Sequence, residues 1–197
     1  LEIICKKFPE AVLSVDTFRS PVARMAVQEY GVAMINDISG GTLDQLMFET
    51  IADLQVAYVL MHTRSTPQHM QEQTQYEDVV AEVLQFLAKR VAQLRLLGVH
   101  DVVIDPGFGF AKNLEQNYEM MSKLSLFRQI EAPLLVGISR KSMMYKLLGI
   151  TPEEALNGTT ALNMLALMGG ASILRVHDVK EAVEAIRIFN AYRQLTK

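Results

Sequence analysis

The stretch DVVIDP, residues Asp101–Pro106, is the part of this 197-residue chain that indicates the fold most directly. It is a short apolar run, rich in β-branched residues, that ends in a carboxylate and a proline. Helical patterns stand on both sides of it, at Tyr76–Leu97 and at Leu114–Ile130. A buried strand between two helices is typical of a βαβ unit, in which successive strands run parallel. The stretch therefore predicts a parallel sheet covered by helices.

Five further stretches repeat this unit of a short apolar run, a polar loop and a helical pattern. Their runs show no clear alternation of apolar and polar residues, which is typical of strands buried on both faces in a parallel sheet. Together with the first stretch they predict six strands in an α/β fold. The five runs are Leu13–Thr17, Ala33–Ser39, Ala57–His62, Leu134–Ser139 and Ile173–His177.

Capping residues and glycines mark the ends of the predicted helices. Ser20 and Pro21 suit an N-cap and a first helical residue, and Gly31 suits the end of that helix. Thr42 is expected to cap a helix over Leu43–Leu54. Further helices are predicted at Lys141–Leu148, after the capping-box spacing of Thr151–Glu154, and at Asp178–Leu195.

Two closures of such a sheet are open at this point, a doubly wound open sheet and a (β/α)8 barrel. Six βα units are two short of a barrel, so that interpretation requires two units to be missing at one end. The chain begins with Leu1 rather than Met, and we expect it to be a shortened piece of a longer protein. No linker or low-complexity tract divides the chain, which predicts one domain over residues 1–197.

The composition is that of an ordinary globular domain, with 50% hydrophobic and 21% charged residues. A net charge of −3 provides no field that would attract nucleic acid or an anionic membrane, so neither is expected as a partner. The single cysteine, Cys5, excludes an internal disulfide framework and a multi-cysteine zinc site. No apolar run approaches the ~20 residues of a membrane span, and we expect a cytoplasmic location.

Polar or reactive side chains end every predicted strand. In a parallel α/β fold the carboxyl ends of all strands lie at one rim, where sites form. The alternative is that strands simply become polar as they reach water, but the recurrence in all six favours one converging site. The side chains are Asp16, Thr17, Asn36, Asp37, His62, Asp105, Ser139, Arg140, Lys141, Arg175 and His177.

The charges at this rim indicate the kind of ligand. Three cations suit a phosphate or diphosphate group. Carboxylate and amide side chains suit a flat heterocycle with N–H donors and C=O acceptors, and also proton transfer or a developing positive charge. The rim therefore predicts a substrate with a polar ring at one end and phosphate at the other. The cations are Arg140, Lys141 and Arg175, and the second group is Asp16, Asn36 and Asp105.

The loop Asp105–Phe110 (DPGFGF) and two strand-end histidines allow more than one interpretation. Phe108 and Phe110 either stack on a ligand ring or plug the loop against the sheet, and plugging is favoured. His62 and His177 suit a base, a metal ligand or a hydrogen-bonding group. The last role is favoured because no zinc-binding spacing surrounds them.

Six segments at the strand ends are distinctive in composition and order: Ser14–Thr17, Ile35–Asp37, Leu60–His62, Asp105–Phe110, Val136–Ser142 and Arg175–Val179. In that order they resemble the dihydropteroate synthase family of folate biosynthesis, and they span nearly the whole chain. The blocks DPGFGF, SRKS and RVHDV together make the resemblance highly specific.

The resemblance implies a TIM (β/α)8 barrel of which this chain holds about six units, the first two being missing, as a single pterin-binding barrel domain. It implies a transferase that condenses 6-hydroxymethyl-7,8-dihydropterin diphosphate with p-aminobenzoate, giving 7,8-dihydropteroate and pyrophosphate. It also implies Mg²⁺, sensitivity to sulfonamides and a homodimer formed through late helices. Asp178–Leu195 nevertheless shows no unusual apolar face in the sequence.

The same resemblance assigns roles to matching positions. Asp16, Asn36 and Asp105 are expected to hydrogen-bond the pterin, and Asp105 to act in catalysis by stabilising positive charge as the diphosphate departs. Arg175 and His177 are expected to hold the diphosphate, with magnesium shared between phosphates and protein.

Lys141 is the second expected catalytic residue, because the resemblance implies that it contacts the pterin and lines the p-aminobenzoate side, with Ser142 nearby. The family's magnesium-binding asparagine belongs to the first two units, so no metal ligand is expected in this chain. Those units also hold the loop that closes over p-aminobenzoate. We therefore expect a functional synthase in the longer protein and weak or no turnover by this chain alone.

Two alternatives to the synthase stay open, a methyltetrahydrofolate-binding methyltransferase domain of the same broad family and a non-catalytic pterin-binding module. The segments Ser139–Ser142 and Arg175–His177 favour the synthase, because they supply contacts to a diphosphate and to p-aminobenzoate.

A six-stranded open barrel would also leave the strands at Leu13 and Ile173 as unpaired edges.

Overall fold

The computed structural model describes residues 1–64 and 74–195, in which six strands alternate with helices. The strands are β1 Ser14–Asp16, β2 Met34–Asp37, β3 Ala57–Met61, β4 Val102–Asp105, β5 Leu135–Val136 and β6 Ile173–Leu174. The helices are α1 Glu2–Lys7, α2 Ser20–Tyr30, α3 Met47–Leu54, α4 Val79–Leu96, α5 Leu114–Ser122, a 3-10 helix Leu124–Ile130, α6 Ser142–Leu148, α7 Leu156–Gly169 and α8 Val179–Gln194.

The strands follow one another in chain order around a partial barrel. Strands β1 to β4 form one parallel sheet, and β5 pairs in parallel with β6. A parallel bridge between Ile104 and Leu134 joins the two sheets. In the described residues β1 pairs only with β2, and β6 only with β5. The prediction of six parallel strands with open edges at both ends is confirmed.

The two faces of the strands lie in separate apolar clusters. The inner cluster consists of Val59, Val103 and Leu135, with Met34 and Ile173 packed against it. The outward-facing strand residues join a larger cluster with the helices. Apolar side chains on both faces explain why the strand sequences show no alternation.

Helix starts agree with the sequence to within a few residues except at α3 and α7, and the N-cap of α2 is Arg19, one residue before the predicted Ser20. Asp78 caps α4 by accepting from the backbone N–H groups of Val80 and Ala81. The predicted Thr42 cap is wrong: the Thr42 hydroxyl donates to the Ser39 carbonyl in a turn, and α3 begins only at Met47.

The predicted long helix over 114–130 is two pieces. The hydroxyl of Ser122 donates to the Glu119 carbonyl, and the chain continues as a 3-10 helix from Leu124. The turn at Thr151 keeps half of the expected capping box, since its N–H donates to the Glu154 carboxylate, but α7 begins only at Leu156. The short α1 was not predicted. No helix in the described part of the chain is long and apolar enough to cross a membrane.

Candidate active site

The barrel interior carries polar side chains directly above its apolar floor. Side chains two residues apart on a strand point to the same face. One such step past the floor residues Met34, Val103 and Ile173 brings Asn36, Asp105 and Arg175 to the inner face, at the carboxyl ends of their strands. Asp16 stands opposite Asn36 in the register of β1 and β2. Four predicted site residues therefore share one layer: Asp16, Asn36, Asp105 and Arg175.

A chain of hydrogen bonds joins these four side chains. Asn36 Nδ2 donates to Asp16 Oδ1 at 2.8 Å. The Arg175 guanidinium donates to Asn36 Oδ1 at 3.3 Å and to Asp105 Oδ2 at 3.2 Å. The Asp105 side chain is only 1% exposed, whereas that of Arg175 is 36% exposed. The arginine thus covers a buried carboxylate and still reaches the open end of the barrel.

Gly137 leaves the space that the Arg175 guanidinium occupies. The sequence motifs did not suggest this role. A Cβ atom at residue 137 would lie 2.8–3.1 Å from three guanidinium atoms. Gly137 follows β5 at an inward position, two residues after the floor residue Leu135. The sequence signal that could have identified Gly137 is the alternation of side chains along a strand, which places residue 137 on the same face as Leu135.

The DPGFGF loop closes tightly against the strand ends. Gly107 has φ of +72°, and a Cβ there would lie 2.1 Å from the His62 carbonyl oxygen, so only glycine fits. Its N–H donates to Asp105 Oδ1 at 2.8 Å. Phe108 is fully buried, which confirms that it plugs the loop. Phe110 is half-buried.

Lys141 contacts this loop from the end of β5. Its ammonium donates to the Phe108 carbonyl and lies 4.7 Å from the centre of the Phe110 ring. The pKa of Lys141 is lowered to about 8, mainly by burial; the Asp105 carboxylate opposes the shift, and the charge of Arg175 contributes to it. Lys141 is therefore a cation at neutral pH that loses its charge under mildly alkaline conditions.

A second buried lysine, Lys112, was not among the residues expected from the sequence. It is 6% exposed, and its ammonium is within hydrogen-bond distance of three acceptors at the base of the loop. Burial is the largest cause that lowers its pKa to about 7. Nothing in the sequence distinguishes this lysine from a solvated one, because its burial depends on how the loop folds back.

His62 lies beneath the loop as a neutral side chain. It is 3% exposed, and its ring edge meets the Phe86 ring at 5.0 Å between centres. Burial above all, together with the charges of Lys112 and Arg64, lowers its pKa to about 2. The hydrogen-bonding role favoured from the sequence agrees with this environment, since Nδ1 lies 3.1 Å from Lys112 Nζ.

The histidine after β6 is oriented by a serine. The backbone N–H of His177 donates to Ser139 Oγ at 3.2 Å, and the same oxygen lies 2.9 Å from His177 Nδ1. The serine hydroxyl can donate to Nδ1 or accept from it while it accepts the backbone N–H, so it holds the ring in place in either tautomer. The His177 ring is exposed at the rim, with its Nδ1 edge toward Ser139.

Two of the residues expected at the rim do not join the site. The Arg140 guanidinium forms two hydrogen bonds with the carboxylate of Asp178, at 2.7 and 3.0 Å. Asp37 is fully buried on the outer face of β2, where it accepts hydrogen bonds from Ser39, Gly41 and Tyr58. The prediction of a convergent rim is wrong for Arg140 and Asp37, because their partners lie outside the inner layer of Asp16, Asn36, Asp105 and Arg175.

Ser142 lies at the first residue of α6, apart from the central layer. It lines a cavity of about 200 Å³ together with Lys112, Asn117 and Lys146. A larger cavity of about 390 Å³ opens beside Asp16, lined by Thr17, Phe18, Arg19, Val22 and Ile38. The larger cavity falls within the ~300–1,000 Å³ that is typical of small-molecule pockets.

The described residues do not form a metal site by themselves. In residues 1–64 and 74–195, no three His, Cys, Asp or Glu side chains lie together in a group that would hold an ion. Magnesium is commonly bound through one or two carboxylates plus substrate phosphates. The expectation that this chain supplies no magnesium site is consistent with this arrangement but stays a prediction.

Comparison with known proteins identifies the family. The family model "Pterin binding enzyme" matches residues 1–177. The dihydropteroate synthase of Escherichia coli K12 is 41% identical over 193 residues, which cover 97% of this chain and 67% of that protein.

Two solved structures agree with this match. The dihydropteroate synthase of Yersinia pestis with a sulfonamide drug complex superposes with a TM-score of 0.92 at 37% identity, covering 98% of this chain and 70% of that one. The enzyme of Thermus thermophilus in complex with 4-aminobenzoate gives a TM-score of 0.86 at 38% identity, covering 90% and 69%. The partial barrel, its rim of polar side chains and these matches agree, and the chain belongs to the dihydropteroate synthase family of pterin-binding enzymes.

Proposed function

We propose that this chain carries the pterin and diphosphate subsites of a synthase that condenses 6-hydroxymethyl-7,8-dihydropterin diphosphate with p-aminobenzoate. The observation that carries the proposal is the position of Arg175. Its guanidinium bridges Asn36 and Asp105 at the mouth of the barrel, so a cation stands directly beside the polar ring-binding layer. A substrate with a donor-rich ring and an adjoining diphosphate matches both halves of this arrangement.

Asp16, Asn36 and Asp105 are suited to the pterin ring. The two carboxylates accept hydrogen bonds, and the amide both donates and accepts, which complements ring N–H and C=O groups. Asp105 is buried, and its Oδ1 is held by the Gly107 N–H at 2.8 Å. A fixed carboxylate in a water-poor site stabilises positive charge that develops on the pterin as the diphosphate leaves.

Arg175, Lys141 and His177 are suited to the diphosphate. Arg175 offers a planar set of donors, and Lys141 carries its charge below pH about 8. The exposed His177 ring, held by Ser139, adds a hydrogen-bonding group at the same rim. Stabilising the departing pyrophosphate, more than binding the substrate, is where these groups would lower the barrier.

Bond changes in the proposed reaction are simple. The carbon–oxygen bond between the pterin methylene and the diphosphate breaks, and pyrophosphate carries the electron pair away. The aniline nitrogen of p-aminobenzoate then forms a bond to that methylene carbon and loses a proton. Magnesium, which the family uses, would neutralise phosphate charge when bound. The roles of this chain's own residues do not depend on it.

The test begins with binding of dihydropterin diphosphate by calorimetry, followed by pyrophosphate release with and without p-aminobenzoate. We expect binding, and weak or no turnover, by this chain. Arg175→Ala should lose most of the binding, and Arg187→Ala, an exposed arginine on α8, is the matched control. Failure to bind the diphosphate substrate, or equal binding by both variants, would contradict the proposal. Transfer of a methyl group from methyltetrahydrofolate to a corrinoid acceptor would instead favour the methyltransferase alternative.

A homodimer and a cytoplasmic location complete the proposal. Apolar side chains on the last two helices are half exposed or more, which supports an interface there. They include Leu165 and Met168 of α7 and Ile188 and Tyr192 of α8. Sedimentation equilibrium of the chain tests the dimer, and a monomer at every concentration would contradict it.

A further inference from the structure

Lys112 lies two residues after the end of the DPGFGF loop and folds back under it. Its Nζ is 3.0 Å from the Gly107 carbonyl and 2.9 Å from the Phe110 carbonyl. The third neighbour is His62 Nδ1 at 3.1 Å. An ammonium group has three donors, and here each of them has an acceptor.

The two carbonyls held by Lys112 stand at the two ends of the loop. Gly107 is its first turn residue, and the Phe110 N–H closes the turn by donating to the Gly107 carbonyl at 3.1 Å. One buried ammonium therefore fixes the conformation of residues 107–110. An apolar side chain in its place would leave both carbonyls without this donor.

Two residues of the proposed active site depend on that same loop. The Phe108 carbonyl receives the ammonium of Lys141, and the Gly107 N–H donates to Asp105. Phe110 adds its ring face to the Lys141 ammonium. A change in the loop would therefore move the contacts of both expected catalytic groups together.

A buried ammonium is costly, and the surroundings of Lys112 compensate for only part of the cost. Besides desolvation, the charges of Lys141 and Arg64 disfavour its protonated form, while the Asp105 carboxylate favours it. Buried charges of this kind are often no more stabilising than apolar residues of similar size. A role in fixing the loop accounts for a lysine here better than stability does.

We propose that Lys112 is a positioning residue, which sets the DPGFGF loop and through it the placement of Lys141 and Asp105. The part of this inference that concerns catalysis rests on the proposed synthase function. The part that concerns geometry does not, since it is tested without substrate.

The test compares the 197-residue chain with Lys112→Met, using lysine labelled with carbon-13 and titration by NMR. Without the anchor, water should reach Lys141, and loss of the Lys112 charge acts in the same direction, so the pKa of Lys141 should rise by about one unit or more toward its ordinary value. A smaller rise in Lys112→Arg, which keeps the charge, separates the two causes. Amide exchange at Gly107 and Phe110 should speed up about tenfold or more, while amides in the middle of α4 stay unchanged. Lys180→Met removes a lysine that is 81% exposed and is the matched control.

Lys112→Arg is the conservative variant, and it should restore slow exchange of the loop amides because it still donates to both carbonyls. Lys112→Gln supplies an uncharged amide with two N–H donors on a shorter side chain, and it provides the same readouts should the methionine variant not fold. Unchanged Lys141 titration and unchanged loop exchange in a folded Lys112 variant would overturn the proposal, even if its melting temperature falls.

Substrate measurements separate this inference from the proposed function. Lys112→Met should weaken binding of dihydropterin diphosphate about tenfold or more if the placement of Lys141 matters for it. Altered Lys141 titration in a chain that does not bind dihydropterin diphosphate would support the positioning role and contradict the synthase proposal. If Lys141 titrates unaltered in a Lys112→Met chain that binds dihydropterin diphosphate normally, the positioning role is contradicted and the synthase proposal is supported.

Discussion

Arg140 and Arg175 follow neighbouring strands of the same partial barrel, yet their surroundings differ. Arg140 turns away from the interior and forms a two-point ion pair with Asp178, whose side chain is 16% exposed. Arg175 turns inward and contacts an amide and a carboxylate that are both nearly completely buried. The position along the strand, more than the residue type, decides which arginine faces the site.

The same contrast holds for the two adjacent residues Asn36 and Asp37. Asn36 points into the barrel and joins Asp16 and Arg175, while Asp37 points to the helices and is held by the backbone and by Tyr58. The pKa of Tyr58 is raised well above its ordinary value, first by burial and second by the neighbouring Asp37 carboxylate. Inward residues should therefore affect ligands, and outward residues should affect stability.

The largest effect is expected for Asp105→Asn. The change removes a negative charge at almost constant shape, so the chain should fold and bind pterin through the remaining contacts. In a version that also carries the family's first two βα units, pyrophosphate release should slow by about 10²–10³, the range for loss of one preorganised electrostatic group. Single-turnover assays of both proteins measure this ratio. A variant as fast as the parent would remove Asp105 from the chemistry.

Arg175→Ala should cost about 2–4 kcal/mol in binding of dihydropterin diphosphate, because it leaves the buried Asp105 carboxylate unpaired and removes the cation beside the diphosphate. Calorimetry with the diphosphate substrate and with the pterin alcohol separates the two causes. The loss should be larger for the diphosphate substrate. An equal loss for both would mean that Arg175 acts only on the ring.

Gly137→Ala tests whether space, rather than charge, places Arg175. The new methyl group would displace the guanidinium. Overpacking of this kind lowers the free energy of unfolding by about 1–3 kcal/mol. The double variant Gly137→Ala with Arg175→Lys should be less than additive, since the lysine ammonium lacks the guanidinium atoms that clash. A double-variant cycle on substrate affinity measures this coupling, and strict additivity would contradict the role given to Gly137.

The pH dependence of binding should report Lys141. Its pKa is lowered to about 8, so its charge is present at pH 7 and is lost as pH rises through that value. Affinity for the anionic substrate should therefore fall as pH rises from neutral through about 8. Lys141→Arg stays charged over this range and should show a flatter profile. Identical profiles would assign the titration to another group.

The same lowered pKa also affects stability, with a definite sign. The unfolded chain binds the Lys141 proton more tightly than the folded chain does between pH about 8 and 10.5. Stability therefore rises with pH in that window, by up to ~1.4 kcal/mol per pH unit for one proton. Denaturant unfolding of the parent and of Lys141→Met measures this slope, which should be smaller in the variant.

The sequence predicted the strands better than it predicted which strand-end residues act together. Six short apolar runs define the sheet because no other arrangement buries both of their faces, and all six are present in the structure. The convergence of Asp16, Asn36 and Asp105 followed from strand ends sharing one rim. Strand parity would also have pointed inward at Gly137 and outward at Asp37.

Other features depend on contacts that the sequence pattern does not contain. The burial of Lys112 arises only when its loop folds back over His62, and no periodicity signals it. The pairing of Arg140 with Asp178 joins residues 38 positions apart. The interruption after Ser122 depends on a side chain that bonds its own helix backbone, which competes with helix continuation.

The smallest effect on binding is expected for Arg140→Ala. Its charge is already engaged by Asp178, which lies away from the inner layer, so affinity for dihydropterin diphosphate should stay unchanged while the melting temperature falls slightly. Arg140 also has φ of +54°, a conformation that favours glycine. Arg140→Gly should therefore recover part of the stability that Arg140→Ala loses, again without affecting affinity. A loss of affinity as large as that of Arg175→Ala would show that both arginines contact the diphosphate, and that strand parity does not separate them.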